Sequence, residues 1–287
     1  MSSHRLYLLG AALLFSTGGA AIKATTLSGW QVAAFRSILA AAFLWLALTG
    51  ARRFWSPRSL AVGILYAATL ILFVLANKLT TAANTIFLQS TAPIYLLVLG
   101  PWLLKEPVRR TDVAFMLVMG VGMVFFFVGV EAPTAIATDP RLGNLLGALA
   151  GLTWALTILG LRWLGGASKE REAAAQAVVA GNLTAAVVCA PLAFPVVSTA
   201  GLDWALVGYL GVFQIGVAYI LMTRGMRGVS ALEASLLLLL EPVTSAVWAW
   251  LLHGEQPGPW SLAGCALILG AAVLRVVLTP RGAIRGR

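Results

Sequence analysis

Two charged residues stand well inside long apolar runs of this chain, Arg36 within 30–49 and Glu241 within 231–252, while Glu233, Lys78 and Arg224 lie nearer run ends, where long side chains snorkel. A charge at membrane depth costs roughly 2.5–3.5 kcal/mol on insertion scales, so such residues are kept for a cavity, a partner or a function. Glu241 is therefore a candidate for coupling to protons or for meeting a substrate ammonium group. It can be protonated, line a wet cavity or pair with Arg36. A structural hydrogen bond to a neighbouring helix is the alternative.

Neutral polar and aromatic residues recur at helical spacing nearby. Asn84, Thr91, Tyr95 and Trp102 are separated by seven, four and seven positions, which is one helix face. Tyr66, Thr69, Phe73 and Asn77 follow steps of three, four and four. Gln89, Trp154 and Thr157 are further candidates. Rings bury the apolar part of a small amphipathic molecule while amides and hydroxyls orient its polar part. That chemistry is recognition. Ser and Thr in membrane helices also bond their own backbone, and tryptophans near run ends, such as Trp30 and Trp260, are expected as interfacial anchors.

Bond-making chemistry has no footing here. It would need a nucleophile with its base, or a metal cluster. His4 is terminal, His253 falls in a loop, and no zinc-protease motif occurs. Cys189 and Cys265 each sit alone in an apolar run, without metal or redox spacing. No enzyme activity, no metal and no cofactor are expected.

The elements that must position these residues follow from composition. Of 287 residues, 60% are hydrophobic and 10% charged, against about 25% charged in a soluble domain. The bilayer is the better solvent, and each crossing takes roughly 20 apolar residues. Apolar runs between charged or turn-rich breaks give ten candidate spans: 5–23, 30–49, 59–78, 82–104, 112–130, 143–163, 172–194, 204–225, 231–252 and 260–278. The first could be a cleaved signal peptide. Leu9-Gly10-Ala11 followed by Ser16 is echoed by Leu146-Gly147-Ala148 followed by Thr153, so it is kept as a span.

The net charge of +10 does not gather on one basic face as a nucleic-acid binder requires. Instead it sorts by side. Sixteen Lys and Arg, including Arg5, Arg52, Arg109, Arg224 and Arg275, fall on one side of a ten-span topology. Only Lys23, Lys78 and Arg141 fall on the other, with Arg36 inside a span. The positive-inside rule then places both termini in the cytoplasm.

The two halves share a signature. Pro93 is followed thirteen residues later by Glu106, then Pro107 and Gly120; Pro242 is followed thirteen residues later by Glu255, then Pro257 and Gly270. Residues 1–140 and 141–287 thus read as two repeats. Five spans each is an odd number, so the repeats insert in opposite directions. The loop charges agree: Lys105, Arg109 and Arg110 after Pro93, but His253 and Glu255 with no Lys or Arg after Pro242. Inverted repeats are a transporter architecture. Pro93 and Pro242 each remove a backbone hydrogen bond within a span and are candidate paired hinges.

Pro93…Glu106 with Gly120 and Gly122, Pro242…Glu255 with Gly270, and the small-residue first and sixth spans resemble the drug/metabolite transporter superfamily. The likeness is to its ten-helix branch with two EamA-type repeats and covers essentially the whole chain. Size and aromatic content are similar to the YddG-type aromatic amino acid exporters. The resemblance implies inner-membrane export of small metabolites by alternating access, and it does not fix the cargo.

The expectation is an all-α integral membrane protein with ten helices in two inverted five-helix repeats around a central cavity. It exports amino acids, aromatic and neutral ones favoured, and similar metabolites. Its partners are a small-molecule substrate and the lipid bilayer, and it is expected to be monomeric. The alternative cargo is cationic drugs or quaternary ammonium compounds exchanged for protons. Small multidrug exporters of related fold carry an acid in the first span, which spans 1 and 6 here lack. A channel would need a charge ring or filter sequence, and neither occurs.

Overall fold

The computed structural model describes residues 3–52, 56–104, 110–128, 134–164, 169–196, 198, 200–225, 237–238 and 240–278. Among them no strand occurs beyond one isolated bridge, Thr134 with Ala137. The helices are α1 (Ser3–Ser16), α2 (Gly18–Ala24), α3 (Gly29–Ala47), α4 (Pro57–Leu79), α5 (Ala82–Gln89), α6 (Ala92–Leu104) and α7 (Arg110–Val128). The second half gives α8 (Pro140–Trp163), α9 (Lys169–Ala193) and α10 (Gly201–Tyr209). A π-helical stretch (Leu210–Val217) joins α10 to α11 (Ala218–Gly225), and α12 (Leu240–His253) and α13 (Pro259–Leu278) follow.

Among the described residues, six helical stretches are long and apolar enough to cross a membrane: Ser3–Ala24, Gly29–Ala47, Pro57–Leu79, Pro140–Leu161, Ala173–Ala193 and Gly201–Gly225. Val113–Val128 and Pro259–Ala271 are shorter apolar helices. The fourth run is broken, and much of the ninth lies outside the described residues, as do Lys105, Glu106, Pro107 and Arg109.

Helix starts are set by local chemistry. Ser28 and Gln31 form a reciprocal capping box at α3, which satisfies two otherwise orphaned donors. Ser56 caps α4 with Pro57 behind it, where a missing N–H costs nothing. Thr81 caps α5 through the Asn84 N–H at 3.1 Å. The break between α5 and α6 has an equally plain cause. Pro93 has no N–H, and its ring collides with the carbonyl four residues back. Local donors take up nearby carbonyls: Thr91 Oγ1 donates to Leu88 O at 2.6 Å and Ser90 Oγ to Ile86 O at 2.7 Å. Pro242 likewise stands in the first turn of α12.

Packing between the halves has an order. The first run (α1–α2) packs on the eighth and ninth, and the sixth (α8) packs on the third and fourth. The second and seventh pack on each other, as do the fifth and tenth; the second also meets the eighth, and the third meets the seventh. Exchanging each run for its counterpart five places on maps this set of neighbours onto itself.

Two glycines repeat the correspondence in atomic detail. A Cβ on Gly63 would stand 3.0 Å from Ala177 O, Ala180 Cβ and Gly181 N. A Cβ on Gly211 would stand 2.6 Å from Arg36 O, 2.8 Å from Leu39 Cβ and 3.2 Å from Ala40 N. Each glycine meets residues i, i+3 and i+4 of its partner helix. Small residues allow such close backbone approach where no water drives helices together.

Candidate functional site

Partway along the helices, a polar cluster is buried between α3, α4, α8, α9 and α11. Arg36 is 1% exposed. Its Nη2 donates to Leu70 O at 2.9 Å, while its Nε finds no acceptor. The Tyr66 hydroxyl and the Cys189 thiol lie within its electrostatic reach. Beside Tyr66 are the Asn182 amide and Tyr219. Asn182 donates to Val178 O at 2.9 Å, leaving its Oδ1 buried without a donor. The Trp154 ring closes on Tyr66 with centroids 6.3 Å apart at 47°. Thr69 Oγ1, one turn along from Tyr66, donates to Thr153 Oγ1 at 3.0 Å.

One end of the bundle carries a second polar network. Lys23 and Glu255 form an ion pair at 3.3 Å, with side chains 5% and 0% exposed. Lys23 Nζ also donates to Ile136 O, and Glu255 Oε2 accepts the Ala82 N–H at 2.9 Å. Lys78 Nζ donates to Thr25 O at 2.8 Å, and the Thr26 N–H donates to Asp203 Oδ1 at 2.8 Å. These bonds tie the ends of α2 and α4, the starts of α5 and α10 and the connection after α12 to one another and to the connection before α8. Behind them lies a cavity of about 270 Å³ lined by Thr80, Thr81, Asn84, Asn144, Glu255 and Ser261, among others. The opposite end carries Arg58 against the Trp163 ring at 5.1 Å and His4 near Arg224 O at 3.3 Å.

The expected site residues divide. Tyr66 and Trp154 meet in the buried cluster. Asn84 joins the end cavity instead, donating to Asn144 Oδ1 at 3.3 Å. Tyr95 donates to Ala148 O at 3.2 Å, also on α8. The supposed continuous face through Asn84, Thr91 and Tyr95 is interrupted, because the helix breaks at Ser90 and Thr91. Thr91 and Thr157 spend their hydroxyls on the carbonyls of Leu88 and Thr153. Phe73 belongs to the apolar core with Ile22 and Val74. Asn77 back-bonds to Phe73 O at 2.9 Å, beside Gly19 of the first run. Gln89 ends α5, where its backbone lies against Gly151. The Trp102 side chain lies outside the described residues.

Arg36 and Glu241 form no ion pair with each other. The guanidinium turns to the Leu70 carbonyl instead, and Glu241 stands half-buried in the first turn of α12.

Sequence reasoning passed over Asn182, Gln214 and Tyr219, and it read Lys23 only as a flank charge. Each of the first three is a polar group within an apolar run, the same signal that singled out Glu241. Gln214 follows Gly211 in the π-helical stretch and crowds Gly18 of the first run. Ser16, noted only as part of the echo, accepts a hydrogen bond from Trp248 Nε1 at 3.1 Å.

Long apolar helices, short polar connections and a repeated packing pattern define a polytopic helical membrane protein. The chain belongs to the EamA-like transporter family, within the drug/metabolite transporter superfamily, matching it twice, over residues 3–128 and 141–277. It is thus an integral membrane transporter with two EamA repeats. No curated protein matches this chain. It is similar to a solved structure described as "Crystal structure of protein", at 22% identity, 97% coverage of each chain and a TM-score of 0.63; that likeness bears on the fold alone.

Proposed function

We propose that this chain exports amino acids, aromatic and other neutral ones favoured, and similar small metabolites by alternating access. In this reading ten helices form two five-helix repeats inserted in opposite directions through the inner membrane of a bacterial-type cell, with both termini cytoplasmic. The protein works as a monomer. Tyr66 and Trp154 supply the aromatic wall of a central site, and Asn84 stands on the exit path. Pro93, at the start of α6, and Pro242, in the first turn of α12, are the paired hinges.

The observation that carries the reading is the exchange of packing partners between the repeats around a buried polar and aromatic cluster. Two related halves that meet through equivalent contacts can swap conformations and open one site to either side. Glu241 supports coupling to protons, because it is an acid within an apolar run and outside any ion pair among the described residues. The same residue favours the second reading, proton-driven export of cationic drugs.

The test is flux into liposomes holding the purified protein, across a panel of amino acids and quaternary ammonium compounds, with and without a pH gradient. Amino acid flux supports the first reading; flux of the quaternary compounds alone, driven by the gradient, transfers the assignment to the second. No flux of any compound rejects both.

A further inference from the structure

We propose that Arg36 is the anchor for a substrate carboxylate, so that the transported class is carboxylate-bearing molecules rather than amines or quaternary cations. The inference rests on the carrier reading above and narrows its cargo.

A guanidinium has five N–H donors and no means of shedding its charge in a protein. Here it is 1% exposed, within a run of apolar helix, and no acid pairs with it among the described residues. Its one hydrogen bond among them goes to a neutral carbonyl, that of Leu70 at 2.9 Å. Its Nε is buried without an acceptor. A buried charge left in this state is strongly disfavoured unless something compensates it. The planar fork of arginine matches the two oxygens of a carboxylate, which can take two parallel N–H bonds.

The surroundings restrict the ligand further. Tyr66 and Asn182 stand with Arg36 and offer a hydroxyl and an amide. Asn182 Oδ1, buried without a donor, is an acceptor suited to an N–H or O–H next to the carboxylate. Trp154 against Tyr66 provides an apolar wall. Lys23 and Lys78 are both engaged in the polar network at one end of the bundle. One fixed positive charge balances a singly charged oxyanion, whereas a phosphate ester carries close to two negative charges at neutral pH. The same fixed charge repels cations in a medium of low dielectric.

Placement also gives the anchor a mechanical connection. The Arg36 carbonyl is the atom that a Cβ on Gly211 would strike at 2.6 Å. Substrate held at Arg36 is therefore held at the joint between α3 and the π-helical stretch of the eighth run. π-Helical turns within helices gather at functional positions.

The experiment uses matched pairs differing only at the carboxylate: phenylalanine, leucine and methionine, each beside its methyl ester and decarboxylated amine. Thermal stabilisation of the detergent-purified wild-type protein is read first. At least one acid is expected to stabilise it at a concentration tenfold or more below its ester and amine. Flux into liposomes should keep the same order. Arg36→Gln should remove that preference, and Arg36→Lys, which keeps the charge but loses the fork, should retain part of it. Equal stabilisation by acid, ester and amine in every pair, or no stabilisation by any acid, overturns the proposal. So does an Arg36→Gln protein that keeps the tenfold preference. Should Arg36→Gln not fold, the wild-type comparison decides alone. Flux of esters or amines at the rate of the acids overturns the anchor while leaving the carrier reading intact.

Discussion

Lys23 and Glu255 form a buried ion pair that links the end of the first run in one repeat to the connection between α12 and α13 in the other. Glu255 is held a second time by the Ala82 N–H at the start of α5, and Lys23 by the Ile136 carbonyl. Four segments converge on two side chains. Breaking a buried pair by removing one partner is strongly destabilising, by about 3–5 kcal/mol, because an uncompensated charge stays behind.

Glu255→Gln should therefore loosen this end of the bundle. In a background with Cys189 and Cys265 replaced, a cysteine at the buried cavity residue Ser261 reports the change. A membrane-impermeant maleimide is expected to label it at least tenfold faster in the Glu255→Gln protein. Exchanging the charges, Lys23→Glu with Glu255→Lys, should return labelling only part of the way to the parent rate, because the swapped pair loses the bonds to the Ala82 N–H and the Ile136 carbonyl. Unchanged labelling would mean that the pair does not hold this end shut.

The close crossings make a separate prediction. Gly211→Ala places a methyl group 2.6 Å from Arg36 O, and Gly63→Ala places one 3.0 Å from Ala177 O. Overpacking costs about 1–3 kcal/mol. Both variants should melt at lower temperature in detergent, Gly211→Ala by more. A crossing that yields without loss would leave both melting temperatures at the parent value.

Trp154 and Tyr66 test the aromatic wall. Their ring contact is worth about 0.5–1.5 kcal/mol beyond burial, so truncation should weaken substrate before it weakens the fold. Trp154→Ala is expected to raise the apparent KM for an aromatic amino acid about tenfold, with melting shifted by only a few degrees. Thr157→Val serves as the contrast. Its hydroxyl is spent on the Thr153 carbonyl, and KM should hold.

Glu241→Gln removes the acid of α12 while preserving shape. Flux is expected to lose its response to an imposed pH gradient while some downhill exchange persists. A variant with full flux and full gradient response would discard the coupling role.

The two prolines are tested together. Pro93→Ala with Pro242→Ala restores the missing N–H groups and favours continuous helices. Flux should fall several-fold, with the protein melting no lower than the parent.

The membrane class and the two repeats were legible because they are written in long stretches of sequence. Apolar runs of about 20 residues and a recurring Pro…Glu spacing survive the small ambiguities of any one position. The site was harder to read because helical periodicity assumes a continuous helix. Pro93 breaks that continuity, so Asn84 and Tyr95 go separately to Asn144 and Ala148 on α8. Thr91 and Thr157 were ambiguous for another reason: a hydroxyl on a membrane helix has its own carbonyls within reach, and periodicity cannot tell that use from ligand binding. Arg36 stood out by charge alone, but its neighbours come from four distant parts of the chain. Lys23 and Glu255 lie 232 positions apart, and no local pattern joins them.

Gly63 and Gly211 carry one further consequence. A machine that rocks between two shapes works best when neither is a deep trap, since any imbalance slows the return stroke. In the proposed alternating-access cycle, making the same joint twice, once in each repeat, would go far toward equalising the two shapes: what loosens on one flank would be remade on the other. A bulky residue at only one of the two glycines would tilt that balance, leaving the molecule resting on one side of its stroke.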